Sequence, residues 1–155
     1  MLATMLVALH AWAQAQAPAP RPDFTGVWVM DTTKFEKHDA ELVALKLTVS
    51  IHGDTLAIVT DVTDAHRPPS TSSAKYGLDG KPSQNPMGGG GNVLTALVSW
   101  DGATLILSSS GDLNGRSLKT TERWSLDATA KTMTRQYHAV IGDREQSQTL
   151  LFTRQ

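Results

Sequence analysis

From Phe24 onward, apolar and polar residues alternate along the chain with a period of two. That period is typical of β-strands with one buried face, whereas an amphipathic helix repeats at about 3.6 residues. The segment 45–52 alternates without a break, Gly53-Asp54 follows as a turn, and the alternation resumes over 55–62. With these two residues as the loop, all apolar residues of the hairpin lie on one face, as a one-sided sheet requires. The predicted cross-strand pairs are Ile51 with Leu56, Val49 with Ile58 and Leu45 with Val62.

A second hairpin is predicted at Asp101-Gly102, a dipeptide that favours a tight β-turn, and it joins 93–100 with 103–109. The predicted pairs are Val98 with Leu105 and Ala96 with Leu107. Unlike the first hairpin, this one is apolar on its outer face as well. The outward apolar residues are Val93, Leu97 and Ile106. We expect the connection 32–43 to cover them, or else that they mediate self-association.

Two further long strands, 118–126 and 133–141, are predicted to form a third hairpin. Aligning Leu126 with Met133 leaves a wholly polar outer face, which suits contact with solvent. On the inner face, this register sets Trp124 opposite Arg135 and Glu122 opposite Tyr137. A last strand follows over 146–154.

Three weaker segments complete the pattern. They are a first strand over 25–31, a short strand over 73–76, and a stretch over 81–92 that is rich in Gly and Pro and predicted to be a loop at the rim. The total is eight or nine sequential strands joined mainly by short turns. Closure of such a sheet removes its exposed edges, so we predict an all-β fold: a single antiparallel up-and-down β-barrel. A two-sheet β-sandwich is the alternative, because hairpins alone do not determine strand order.

The first residues form a segment of their own. Residues 2–12 are mostly apolar but fall short of the roughly 20 residues that span a bilayer, and alternating alanines and then prolines follow. The predicted organisation is a signal peptide over 1–17, a proline-rich linker over 18–23 and the barrel domain over 24–155. The signal peptide predicts an extracytoplasmic protein with no stable membrane span. Because no Lys or Arg precedes the apolar core, an ordinary N-terminal tail is the alternative.

Composition excludes several functions. The 155 residues have a net charge of -1 and no two adjacent Lys or Arg residues, so no nucleic-acid-binding surface is expected. The chain has no Cys, which excludes disulfides, thiolate metal ligands and a cysteine nucleophile. The five histidines lack the spacing of a ligand set, and no Gly-x-Ser-x-Gly motif occurs. We therefore predict no metal site, no cofactor and no catalytic residue of these kinds.

Most inward positions are aliphatic, but Glu122, Trp124, Arg135 and Tyr137 form a distinct cluster across one strand pair. Glu122 faces Tyr137 and reaches Arg135 diagonally, a distance that long side chains span. A buried carboxylate and guanidinium must pair, because burial of either alone costs several kcal/mol. In a barrel with internal space, these four residues would bind the carboxylate or hydroxyl group of a ligand whose apolar part contacts the aliphatic wall. The alternatives are an internal ion pair without a ligand and a polar group at the barrel mouth.

The segment 23–28, with Gly26 two positions before Trp28, resembles the opening strand of lipocalin-like (calycin-type) proteins. In that superfamily the Trp closes one end of the barrel and packs under an Arg or Lys at the end of the last strand. Trp28 and Arg154 occupy the corresponding places here, and a guanidinium over an indole gains cation–π attraction. The segments 76–81, 100–105 and 123–126 are similar to a subgroup of secreted bacterial lipocalin-like proteins. The chain departs from many lipocalins by its lack of Cys and by the Gly-rich insertion after Lys81.

This resemblance implies a lipocalin-like barrel that binds a small apolar or amphipathic ligand outside the cytoplasm. Because one fold hosts many functions, two further hypotheses are kept. One is a structural or interaction protein whose barrel is filled by its own side chains. The other is a small enzyme that uses Glu122 or Tyr137 as acid or base, which would require a strongly shifted pKa beside an open cavity.

Overall fold

Ten antiparallel β-strands account for most of the chain in this computed structural model, which describes residues 21–34, 42–87 and 91–155. The strands are β1 (Gly26–Met30), β2 (Leu42–His52), β3 (Thr55–Asp64), β4 (Ser70–Gly77), β5 (Ser83–Met87), β6 (Asn92–Asp101), β7 (Thr104–Leu113), β8 (Arg116–Leu126), β9 (Thr132–Ile141) and β10 (Arg144–Arg154). The sheet order is β4-β3-β2-β1-β10-β9-β8-β7-β6-β5. Apart from the pairing of β1 with β10, each strand therefore pairs with its neighbour in sequence, as in an up-and-down barrel.

Side chains connect the two ends of the sheet, β4 and β5. The Asn85 amide accepts a hydrogen bond from Lys75 N at 2.7 Å and donates one to Lys75 O at 2.9 Å. Gly77 N donates to Ser83 Oγ at 2.7 Å. A primary amide carries the same donor and acceptor as a peptide group, so Asn85 replaces a rung of the missing backbone ladder. The predicted fold class, an all-β antiparallel up-and-down barrel rather than a sandwich, is confirmed.

The predicted registers of the first and third hairpins are confirmed. The prediction for the second hairpin is wrong by two residues, because Val98 pairs with Leu107 and Ala96 with Ser109. Gly102 and Ala103, not Asp101 and Gly102, form the loop, with Gly102 at a φ of +57°. A shift of two residues keeps every side chain on its predicted face.

The predicted number of strands, eight or nine, is too low. The stretch 81–92 was predicted to be a loop, yet it contains β5, whose Pro86 is tolerated because β5 has a backbone ladder with β6 alone. Strands β7 and β8 also extend further than predicted and meet at Asn114-Gly115. Both residues have positive φ (53° and 81°), the requirement of a type I′ turn that Asn-Gly favours.

One end of the barrel interior is filled by large side chains. Trp28 is fully buried, its Nε1 donates to Phe24 O at 2.9 Å, and the Arg154 guanidinium lies 4.4 Å from its ring centroid. Arg154 Nη2 also donates to Asp23 O at 2.7 Å. Gly26, with a φ of +123°, lies beside the Arg154 side chain and adopts a conformation that other residues rarely take. The other large buried side chains are Trp124, Phe24, Phe152, Leu47, Leu56, Leu105 and Met133.

The outward apolar residues of the second hairpin are exposed, Val93 to 48% and Leu97 to 41%, while Ile106 is half-buried. Of the connection predicted to cover them, the structure describes a 3-10 turn, Thr32–Lys34, and the strand residues from Leu42. The residues between, the predicted signal peptide and the first part of the linker lie outside the described residues. Self-association through this face stays a prediction. Within the described ranges, no helix has the length and hydropathy to cross a membrane.

Candidate binding site in the barrel

A cavity of about 140 Å³, partly open to solvent, lies on the inner face of the sheet next to the junction of β4 and β5, where the lining residues Ser72, Ser73 and Pro86 are exposed. It is lined by Leu47, Ile58, Thr60, Ser72, Ser73, Ala74, Tyr76, Pro86, Glu122, Trp124 and Arg135. The strand register explains why residues from several strands meet at the cavity. Leu47, Thr60 and Ser72, for example, are paired across β2, β3 and β4. The wall is therefore part apolar and part polar, with one acidic and one basic side chain.

The charged pair in this wall is bidentate. Arg135 Nε donates to Glu122 Oε2 at 2.8 Å, and Arg135 Nη2 donates to Glu122 Oε1 at 2.7 Å. Trp124 Nε1 donates to Glu122 Oε2 at 2.9 Å. Glu122 and Trp124 share the inner face of β8 at alternate positions, and Arg135 on β9 is directly opposite Trp124. The side chains of Arg135 and Glu122 are 18% and 17% exposed, so the pair is largely withdrawn from water.

Burial and the ion pair shift the pKa values of the neighbouring groups. Burial by itself would lower the pKa of Arg135, but the charge and hydrogen bonds of Glu122 outweigh it, so the pKa is raised and the guanidinium stays charged. Burial and the Glu122 charge raise the pKa of Tyr76 to about 12. The same two causes raise the pKa of Tyr137. Both phenols are therefore neutral hydrogen-bond donors at ordinary pH.

The hydrogen-bonding groups left over at the cavity include a guanidinium N–H, which can only donate, and hydroxyl groups, which can donate or accept. Three donors already occupy the two Glu122 oxygens, out of roughly four acceptor positions on a carboxylate. Among the described residues, Arg135 Nη1 and the Tyr76 hydroxyl have no hydrogen-bond partner. The site is thus suited to a molecule that brings an acceptor.

The structure brings together three of the four predicted binding residues, Glu122, Trp124 and Arg135, around the cavity. Tyr137 is half-buried opposite Glu122 but is not part of the lining. The sequence analysis missed Tyr76. Tyr76 faces inward because it pairs with the inward Leu56, and the short polar strand β4 has no alternation of its own that would indicate this.

The two tyrosines of the chain, Tyr76 and Tyr137, are expected to ionise later than free tyrosine. Between pH 10 and about 12 the unfolded chain loses phenolic protons that the folded chain retains, so the free energy of unfolding should fall as the pH rises through this range. Ultraviolet absorbance of tyrosinate should show one midpoint near 12, and Tyr76→Phe should remove it. Two midpoints near the ordinary value of 10.0 would show that both phenols are solvated.

The strand order defines the class of fold: an antiparallel up-and-down β-barrel with a charged pair in its inner wall. Three solved structures are similar to it over 85% of this chain. The first is a secretory abundant heat soluble protein from Ramazzottius varieornatus, with 11% sequence identity, 95% of that chain covered and a TM-score of 0.59. The second is a Schistosoma mansoni fatty acid binding protein in complex with arachidonic acid, with 14% identity, 96% of that chain covered and a TM-score of 0.54. The third is a zebrafish ileal bile acid-binding protein complexed with cholic acid, with 14% identity, 98% of that chain covered and a TM-score of 0.56. Sequence identities this low show a similarity of fold alone. The predicted lipocalin-like barrel is confirmed as a fold.

The sequence matches no protein-family model and no curated protein. Within the described residues there is also no group of three or more His, Asp or Glu side chains that could hold a metal ion.

Proposed function

We propose that this barrel binds a small organic molecule in the cavity beside Glu122 and Arg135. The observation that carries the proposal is the position of this largely buried ion pair in the wall of a partly open cavity. A buried pair is often no more stabilising than well-packed hydrophobic residues of the same volume. A barrel with a purely structural role gains little from a charged pair here, whereas a binding site gains directional hydrogen bonds.

The similar solved structures support the proposal that the barrel binds a small molecule, since two of them contain arachidonic acid or cholic acid. The cavity of about 140 Å³ is nevertheless small. Pockets for drug-sized molecules span about 300–1,000 Å³, while a cavity of about 150 Å³ holds a benzene ring. The small volume favours a second candidate, a structural barrel filled by its own side chains.

The enzyme hypothesis gains no support from this geometry. Both oxygens of Glu122 accept hydrogen bonds from Arg135 and Trp124, so this carboxylate is not free to take a proton from a substrate. Tyr137 lies outside the cavity lining. An extracytoplasmic location is part of the proposal, and its support is the signal-like pattern of residues 1–17.

Native mass spectrometry of the protein purified from its own host tests the proposal. We expect an extra mass that leaves on denaturation. The variant Ala74→Leu should abolish it, because Ala74 lines the cavity and a larger side chain would fill it. Ala57→Leu is the matched control, since Ala57 is on the outer face of the neighbouring strand β3. If the measured mass is that of the polypeptide alone, and if no compound in a panel of small molecules raises the melting temperature, the result would favour the filled structural barrel.

A further inference from the structure

We infer that the cavity selects an uncharged, ring-sized molecule that carries a hydrogen-bond acceptor, in preference to a carboxylate or an ammonium compound of the same shape. This inference rests on the proposed function and defines the ligand class of the same site. It follows from three properties of the lining: its charge balance, its free hydrogen-bonding groups and its volume.

The charges of the lining cancel. Glu122 and Arg135 are its one acidic and one basic residue, and they neutralise each other at 2.7 Å. A ligand carboxylate at Arg135 would also lie beside the Glu122 carboxylate, and a cation at Glu122 would lie beside the guanidinium. For either ion, the repulsion by one member of the pair largely offsets the attraction by the other, so the cost of removing the ion from water is not recovered. A neutral ligand does not have this desolvation cost.

The free guanidinium N–H favours an acceptor on the ligand, because among the described lining residues it is the one free polar group that can only donate, whereas the hydroxyls of Thr60, Ser72 and Ser73 can donate or accept. Among the described residues, the Tyr76 hydroxyl and Arg135 Nη1 are donors without partners, and the high pKa of Tyr76 keeps its proton in place. The Glu122 oxygens are already largely occupied. A carbonyl oxygen fits this arrangement, because it accepts hydrogen bonds and carries no net charge.

The volume and the apolar part of the wall select a ring. About 140 Å³ is close to the cavity that accommodates benzene, and Leu47, Ile58 and Trp124 supply an apolar surface. Elsewhere the interior is tightly filled, since Trp28, Met133 and Phe152 have no exposed surface, so the described volume leaves little buried space for an extended chain. The site therefore fits one ring with a small carbonyl substituent better than a long aliphatic tail.

Calorimetric titration of the wild-type protein with benzamide, benzoate and benzamidine tests the inference, because these probes share a shape and differ in charge. We expect benzamide to bind at least about tenfold more tightly than either ion. Equal or tighter binding of benzoate would overturn the inference, and so would a preference for benzamidine. If none of the three binds although a ligand co-purifies, the inference fails and the proposed function stands. If none of the three binds and the purified protein has the mass of the polypeptide alone, both the inference and the proposed function fail.

Two variants localise the effect. Tyr76→Phe should weaken benzamide about fivefold, the scale of one lost hydrogen bond, and an unchanged affinity would contradict its role as donor. Glu122→Gln should free the charge of Arg135 and reverse the preference toward benzoate. Glu145→Gln, a removal of the same charge at an exposed position of β10, is the control and should leave the preference unchanged. Retention of the benzamide preference in folded Glu122→Gln would overturn the argument from charge balance.

Discussion

Replacing Trp28 by alanine is expected to lower the free energy of unfolding by about 3–5 kcal/mol, the range for loss of a buried aromatic side chain. Trp28 is completely buried, donates a hydrogen bond to Phe24 O and lies under the Arg154 guanidinium. The substitution therefore leaves a cavity, an unsatisfied carbonyl and a cation without its aromatic partner. Chemical denaturation followed by circular dichroism measures the change.

Leu97→Ala is a suitable control, because Leu97 is an apolar side chain with 41% exposure and should contribute less than about 1 kcal/mol. Arg154→Met separates packing from charge, since methionine keeps an apolar chain over the indole but removes the cation. We expect it to cost about 1–3 kcal/mol, because it removes both the cation–π contact and the Arg154 Nη2 hydrogen bond to Asp23 O. A loss below about 1 kcal/mol for Trp28→Ala would show that Trp28 does not close this end of the barrel.

Removal of one member of the ion pair is expected to be nearly as damaging as loss of Trp28. Arg135→Leu should lower the free energy of unfolding by about 3–5 kcal/mol, because it leaves the Glu122 carboxylate largely buried and without its countercharge. The double variant Glu122→Leu/Arg135→Leu should recover most of this loss, since no charge then stays behind. Denaturation of the two single variants and the double variant forms a double-mutant cycle that measures the coupling.

The matched control for this cycle is Arg123→Leu. Arg123 pairs with Asp101 at the same 2.7 Å on the outer face, but these side chains are 42% and 67% exposed. An exposed pair contributes about 0–1 kcal/mol, so the control should change little. If Arg135→Leu were equally mild, the Glu122–Arg135 pair would be solvated. Full recovery of stability in the double variant, combined with loss of benzamide binding, would show that the pair serves recognition and not stability.

The sequence pattern predicted much of the site because side chains alternate between the two faces of a strand. Once Leu126 is aligned with Met133, Glu122, Trp124 and Arg135 must share the inner face, and the structure brings these three together. Even the error of two residues in the second hairpin left each residue on its predicted face. Predictions of this kind depend on local periodicity and are insensitive to small errors in a turn.

Elements without a strong alternating signal were not predictable in the same way. β5 is short and polar and contains Pro86, so its sequence resembles a loop. Its strand conformation depends on pairing with β6. Tyr76 was missed for a related reason, because β4 consists mostly of small polar residues and its inward face is defined only by the register with β3.

The sequence by itself thus determined the antiparallel strands, their inner and outer faces and the position of the polar cluster within an apolar interior, since all of these follow from a period of two residues. Only the tertiary structure decided that Asn85 bridges β4 and β5, that Tyr76 shares a cavity with Arg135, and that the free volume beside them is about 140 Å³. These features join residues far apart in sequence, and their distances depend on the curvature of the closed barrel and on how completely its side chains fill it.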